Sequence, residues 1–151
     1  METANYSPAD LRLVLGAFAT GVTVITTVDL TGRRYGVTAN SFNSLSIDPP
    51  LVLWSQASGA PSHPAFRTAF YFAVNVLSAQ QEALSRKFAT PAKDKFRDVE
   101  VHGGMGGVPL LAGSIAWIEC AREAVYPGGD HALFIGRVLR LTRQEAAEPL
   151  V

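Results

Sequence analysis

The chain has 151 residues, of which 48% are hydrophobic and 17% charged, with 13 Lys+Arg set against 13 Asp+Glu. That length suits one domain able to bury about two-thirds of its unfolded surface, and balanced charge without a basic block argues against nucleic acid or an anionic membrane as partner. The single cysteine, Cys120, excludes an internal disulfide and any cysteine-built metal site. No apolar run reaches membrane-spanning length, and the start Met1-Glu-Thr-Ala-Asn5 lacks the basic opening of a signal peptide, so a soluble cytoplasmic protein is expected.

Ser7-Pro8-Ala9-Asp10 reads as a helix start: Ser7 can cap, Pro8 suits the first turn and Asp10 favours the positive end of the dipole. Leu11, Val14, Leu15 and Phe18 share one face, as in a packing helix, and Gly21 is placed to end it. Residues 22–28 are β-branched almost throughout and predict a strand. A turn at 29–32 and a return strand from Arg34 make a hairpin over 22–40. The polar stretch 40–46 follows, carrying Asn40, Ser41, Asn43, Ser44 and Ser46. It reads as a loop that either bonds to itself or leaves backbone N–H groups open to an anion or a heterocycle's polar edge. Pro49 and Pro50 then stop pairing.

A strand restarts at 51–54 and runs into a second small, polar loop at 55–60. Residues 61–68 predict a short helix, and 70–77 a buried strand containing Asn75. Ser78 can cap a helix over 79–89, with Leu84 and Phe88 on one face and Arg86 and Lys87 near its negative end. Residues 90–98 read as a solvated loop around Phe96, and the glycine-rich 102–107 as flexible without a dinucleotide-fold motif. Residues 108–112 return to the core. A long strand over 114–126 places Ile115 and Trp117 on one face and Ala116, Ile118 and Cys120 on the other, with Glu119 and Glu123 turned to solvent. Pro127-Gly128-Gly129 makes a turn. The strand over 130–141 carries Leu133, Ile135, Leu139 and Leu141 on one face, and 145–151 is a loose tail. Strands joined by hairpins, with helices inserted, imply a mainly β fold whose antiparallel sheet closes into a barrel, as one domain over 1–151.

The three histidines, His63, His102 and His131, lack metal-like spacing. Ser41 and Ser46 sit in no nucleophile-elbow motif. Cys120 reads as a small core residue. His131 has the informative setting: two glycines open the backbone before it, and Asp130 can orient or charge its imidazole.

Thr20-Gly-Val-Thr-Val-Ile-Thr26, Gly36-Val-Thr-Ala-Asn-Ser-Phe42, Ser44-Leu-Ser-Ile-Asp-Pro-Pro-Leu51, Phe72-Ala-Val-Asn-Val-Leu77 and Gly129-Asp-His131 occur in that order. Together, over about 11–141, they resemble the short-chain flavin reductases, reductase components of two-component flavin monooxygenases. The resemblance implies an antiparallel Greek-key split β-barrel that binds FMN or FAD, a homodimer with flavin near the interface, and NADH or NADPH as hydride donor. By matching position, Thr38, Ala39, Asn40 and Ser41 would meet the flavin ring, and Leu45 and Ser46 would continue that wall. Ser55, Gln56 and Ala57 match the family's second flavin loop, and Ser62 a hydroxyl near the phosphate. Lys87 and Phe88 match a basic-aromatic pair, with Lys87 partly neutralising the phosphate. Gly129, Asp130 and His131 match a motif associated with the nicotinamide nucleotide, His131 positioning it. The implied function is NAD(P)H-dependent flavin reduction, with reduced flavin passed to a partner monooxygenase. The alternative is a flavin-binding or flavin-carrying protein without reductase turnover. Two departures accompany the resemblance: the second loop reads Gly59-Ala-Pro-Ser-His63, less polar than in many relatives, and the chain as given ends at Pro149-Leu-Val151.

Overall fold

The computed structural model describes residues 5–151; the first four residues, read above for a leader, lie outside that range. Helix α1 (Pro8–Gly16) opens as its residue types dictate. The Asp10 amide donates to the Ser7 hydroxyl at 3.1 Å, and the Ser7 amide donates to the Asp10 carboxylate at 2.9 Å, a reciprocal capping box. The helix ends at Gly16 rather than Gly21. It also buries no side chain within this chain: Val14, Leu15 and Phe18 are 72%, 63% and 78% exposed. The expected packing face is present, but nothing in one chain covers it.

Seven strands form one antiparallel sheet: β1 (Thr23–Val28), β2 (Arg34–Ala39), β3 (Asn43–Ser46), β4 (Leu51–Ala57), β5 (Tyr71–Val76), β8 (Ala116–Gly128) and β9 (His131–Arg143). Their spatial order is β2-β1-β5-β8-β9-β4-β3. A small second sheet pairs β6 (Val101–Gly103) with β7 (Pro109–Leu111). Helix α2 (His63–Thr68) lies between β4 and β5 in the chain, and α3 (Glu82–Ala89), entered by a 3-10 turn at Ala79–Gln81, follows β5.

The strand order forces the sheet to curl. β2 and β3 are its opposite edges, yet only residues 40–42 join them. That link spans at most about 14 Å from Ala39 to Asn43, whereas seven flat strands would hold their edges about 29 Å apart. The edges therefore come together without a ladder between them, and the result is the split barrel that the resemblance implies. Ser41 fastens this seam: its hydroxyl donates to the Ser55 carbonyl at 3.0 Å and accepts from the Ser55 amide at 2.9 Å.

Inside the barrel, Trp54 stacks on its cross-strand neighbour Phe134 with centroids 4.7 Å apart, and meets Phe66 and Phe72 edge-on. Ile25, Val74 and Cys120 complete this cluster. Because β1 is covered on both faces, its successive residues are buried on both sides. Ile25 faces the barrel, while Val24 joins Leu77, Phe88, Phe96 and Leu111 under α3. Asn75, fully buried, binds these layers: its Nδ2 donates to the Val24 carbonyl at 2.9 Å and Thr26 Oγ1 at 3.0 Å, and its Oδ1 accepts from the Leu111 amide at 2.8 Å.

Several expectations are corrected. Residues 43–46 are not loop but β3, with Leu45 the extra residue of a bulge opposite β4; polar side chains do not prevent pairing at a sheet edge. Ser55, Gln56 and Ala57 belong to β4, because β9 supplies a partner as far as Ala57 opposite His131. The face of β9 expected to carry Leu133, Ile135, Leu139 and Leu141 is not the buried one: Ala132, Phe134 and Gly136 point inward, whereas Leu139 and Leu141 are 44% and 68% exposed. The 102–107 segment is ordered into β6 and a 3-10 turn. Glu119 is 3% exposed rather than solvent-facing: both its oxygens accept from Arg140, at 2.5 and 2.7 Å, and Oε1 also accepts from the Met105 amide at 2.8 Å. The tail is tied down, Leu150 donating to the Leu77 carbonyl at 3.0 Å and accepting from the Val22 amide at 3.1 Å.

Two outcomes follow from the buried polar groups. Asn75→Ala leaves the Leu111 amide and Val24 carbonyl short of a partner and should cost about 2–4 kcal/mol. Urea midpoints at unchanged slope measure it, and a negligible shift would show the network is dispensable. The Arg140 guanidinium holds the Glu119 carboxyl below its ordinary value of 4.5, with the Met105 amide adding to this. The unfolded chain then takes up that proton first, so the stabilisation is complete above the unfolded value and is lost as pH falls through the folded one. Glu119→Gln should be less stable than the parent at neutral pH, and the gap should close as acidification protonates Glu119 in the folded protein.

Candidate flavin site

β2 carries the chain to the seam, and the cavity opens where it arrives. Its volume is about 1030 Å³. β2 and residues 40–41 form one wall, and Trp54–Ala57 of β4 with residues 60–62 form another. The end of α3, the 91–96 segment and His131 complete it. Thr38, Ala39, Asn40, Ser41, Ser55, Gln56, Ala57, Ser62, Phe88 and His131 are thus brought together from five separate stretches of chain.

Leu45, Ser46, Lys87, Gly129 and Asp130 do not line it. Leu45 is bulged outward, and Ser46 pairs with Leu51 in the β3–β4 ladder. Lys87 and Phe88 are successive residues on a helix of 3.6 residues per turn, so burying Phe88 turns Lys87 aside. Gly129 and Asp130 form the two-residue β8–β9 hairpin loop, with Gly129 at φ 67°, where glycine avoids the Cβ clash. Their contribution is to deliver His131.

Many of the polar side chains are already committed. Thr38 Oγ1 donates to the Ser85 carbonyl at 2.6 Å, fixing β2 against α3. Gln56 Nε2 donates to Ser62 Oγ at 2.9 Å, and Oε1 lies 3.1 Å from His63 Nδ1. Gly36 brings β2 against α3: a Cβ there would sit 2.7 Å from the Phe88 ring. His131 Nδ1 lies 2.8 Å from Asp130 Oδ1, and the His131 ring holds the Asp130 carboxyl below the usual range. With Nδ1–H donating to Asp130, Nε2 of the neutral ring is left as an acceptor; in the protonated ring it is a donor.

Sequence reasoning missed the cationic side. Arg33, Arg34, Lys93 and Lys95 all line the cavity, beside Tyr35 and Phe96. Lys95 Nζ donates to the Phe88 carbonyl at 2.9 Å and the Gly36 carbonyl at 3.2 Å, and burial pushes its pKa down. The available signal was Phe96, one large aromatic inside a charged run, which packs edge-on against Phe88 at 5.0 Å and pins the segment over the cavity. Among the described residues no carboxylate lines the cavity. Backbone and side-chain donors at one end and cations at the other make a donor set that fits a flavin: a planar heterocycle with a polar edge, joined to phosphate.

The model of the flavin reductase like domain matches residues 15–151. The chain is 44% identical over 138 residues to a probable flavin reductase of Rhizobium meliloti, covering 91% of this chain and 44% of that protein. It is 45% identical over 139 residues to an NADH-dependent FMN reductase of Agrobacterium fabrum, covering 92% and 78% respectively. The reductase subunit of a flavin-dependent monooxygenase of Rhodococcus jostii is 40% identical over 144 residues, covering 95% and 73%. Among solved structures, the NADH:FAD oxidoreductase of Streptomyces globisporus, in complex with NAD and FAD fragments, superposes with a TM-score of 0.89 at 42% identity, covering 97% of this chain and 90% of that one. The chain thus spans 44% to 78% of the length of these three curated relatives and 90% of the solved chain. With its split barrel, its seam-side cavity and a match over nearly its whole length, the chain belongs to the flavin reductase like domain family.

Proposed function

We propose that the protein is an NAD(P)H-dependent flavin reductase that hands reduced flavin to a separate monooxygenase. The observation that carries this reading is the cavity at the seam, where Asn40 and Ser41 face Ser55–Ala57 with His131 at the rim. A flavin held between residues 38–41 and Ser55–Ala57 would supply two-electron redox chemistry with a reduced nicotinamide. The chain's own contribution is placement and charge. Asn40 and the backbone of 38–41 offer donors to the polar edge of the ring, where negative charge grows on reduction. Ser41, held by Ser55 on both sides of its hydroxyl, keeps that wall rigid rather than serving as a mobile ligand. His131, oriented by Asp130, presents Nε2 to the nicotinamide nucleotide and moves no proton in the hydride step. Ser62 and Gln56 brace the opposite wall.

The homodimer expected above also belongs to this proposal. Leu11, Val14, Leu15 and Phe18 of the α1 segment lie uncovered, as do Leu139 and Leu141 on the outer face of β9. A second copy burying such faces would remove large apolar side chains from water at roughly 1.5–3 kcal/mol each. No helix among the described residues is long and apolar enough to cross a membrane, and we take the cytoplasm as the working compartment. Burial pushes the Cys120 thiol up to about 12, so it is inert in either redox setting and does not bear on the compartment.

Mixing the protein anaerobically with each donor and each flavin should bleach the flavin with at least one pair, and no bleaching with any pair would refute reductase activity. His131→Ala should raise the KM for the donor about tenfold or more while leaving flavin affinity within about twofold, and Asn40→Ala should do the reverse, as charged or buried polar contacts of this kind are worth about 1.5–3 kcal/mol. Equal effects on both substrates in steady-state kinetics would contradict that division. Light scattering should give twice the chain mass for the parent, and Leu15→Asp with Phe18→Asp should shift it to monomer.

A further inference from the structure

One wall of the cavity is governed by a side chain that does not line it. Gln56 and Ser62 line the cavity and His63 does not, yet the three form one chain of hydrogen bonds. Gln56 Nε2 donates to Ser62 Oγ at 2.9 Å, and Gln56 Oε1 lies 3.1 Å from His63 Nδ1. Gln56 is 5% exposed, so its amide depends on these two neighbours for partners. Ser62 stands at the N-cap of α2, where a serine hydroxyl ordinarily accepts from a helix amide, but it makes no such bond. Its hydroxyl answers to Gln56 instead. His63 also meets Phe134 edge-on, with ring centroids 5.9 Å apart, and Phe134 is stacked on Trp54. The imidazole therefore rests on the aromatic core of the barrel.

The bonds have a direction, and His63 sets it. A carboxamide oxygen only accepts, so the contact with Oε1 is a bond only when His63 Nδ1 carries hydrogen. That N–H fixes the amide with Nε2 towards Ser62. Ser62 Oγ, already accepting, keeps its own hydrogen, and no other bond to that hydroxyl occurs among the described residues. A doubly protonated ring preserves the direction, since both its nitrogens donate. In the opposite direction Nδ1 would accept from Gln56, Oε1 would accept from Ser62, and serine lone pairs would face the cavity. That arrangement conflicts with the rest of the lining. Arg33, Arg34, Asn40 and Lys93 offer donors, and among the described residues no carboxylate lines the cavity, so the ligand atoms it suits are acceptors.

We propose that His63 is a positioning residue for the flavin site: through Gln56 it makes the Ser62 hydroxyl an obligate donor to an acceptor atom of the ligand. The inference rests on the cavity being the flavin site. A hydroxyl whose direction is set before the ligand arrives loses less freedom on binding. It also disfavours a ligand that brings a donor to the same point.

Nitrogen NMR of the protein with isotope-labelled histidine, without ligand, reads the ring directly, and His63→Phe identifies the signal. Hydrogen should reside on His63 Nδ1, and Gln56→Leu should remove that preference. Fluorescence titration with FMN then reads the consequence. Ser62→Ala should bind FMN about two- to tenfold more weakly, as for one neutral hydrogen bond. His63→Phe, which keeps a ring against Phe134, should also weaken FMN, and His63→Phe/Ser62→Ala should bind no more weakly than Ser62→Ala alone. Hydrogen on Nε2 alone in the parent, additive losses in the double variant, or unchanged FMN affinity in either single variant would overturn the proposal. Should a variant fail to fold, the tautomer in the parent still decides the direction of the bonds. A parent that binds no FMN would remove the reductase reading and this role together, whereas the wrong tautomer in a parent that reduces flavin would remove this role alone.

Discussion

Three residues between Ala39 and Asn43 govern this structure. Asn40, Ser41 and Phe42 join opposite edges of a seven-stranded sheet, and so short a link is possible only if the sheet has rolled up. The two edges meet without forming a ladder, so backbone groups near the seam must find other partners. Ser41 supplies one by bonding both the amide and the carbonyl of Ser55. Phe42 anchors the same link from within by packing against the barrel core. What remains at the seam is an opening lined with backbone and small polar side chains, and that opening is the cavity.

Structural and binding roles are divided finely there. Ser41, Thr38 and Gln56 line the cavity yet spend their side-chain hydrogen bonds on the fold. Their effect on a ligand is to hold the walls still, which lowers the cost of ordering on binding. Asn40 and His131 have greater freedom to address a ligand, since both are exposed and Asp130 takes only one side of the imidazole. The cations follow the same logic: Lys95 holds α3 to β2, while Arg33, Arg34 and Lys93 retain their donors.

The buried polar groups away from the cavity serve rigidity. Asn75 and Thr26 connect β1, β5 and β7, with Thr26 Oγ1 donating to the Pro109 carbonyl at 2.7 Å. Glu119 joins β8 to Arg140 on β9 and to the turn at Met105. Each of these spans elements distant in sequence, so the sheet that carries β2 and β4 is braced from behind while its seam stays open.

The residues alone were enough to find the strands at 22–28, 34–39 and 71–76, the capped helix at Ser7 and the hairpin ahead of His131, because those rest on local effects: β-branching, side-chain capping and glycine at a tight turn. Family resemblance added the split form of the barrel and most of one cavity wall. Tertiary structure decided the rest. Residues 43–46 look like loop until β4 lies beside them, and 55–57 until β9 does. Glu119 looks solvated until Arg140, 21 residues later, folds over it. Lys87 looked like the cation of the site because it precedes Phe88, but helical rotation turns it aside. Arg33, Arg34, Lys93 and Lys95 occupy that end instead, brought there by a hairpin and by Phe96 seating on Phe88. Pairing partners and converging charges are set by distance in space, and separation along the chain carries no record of it.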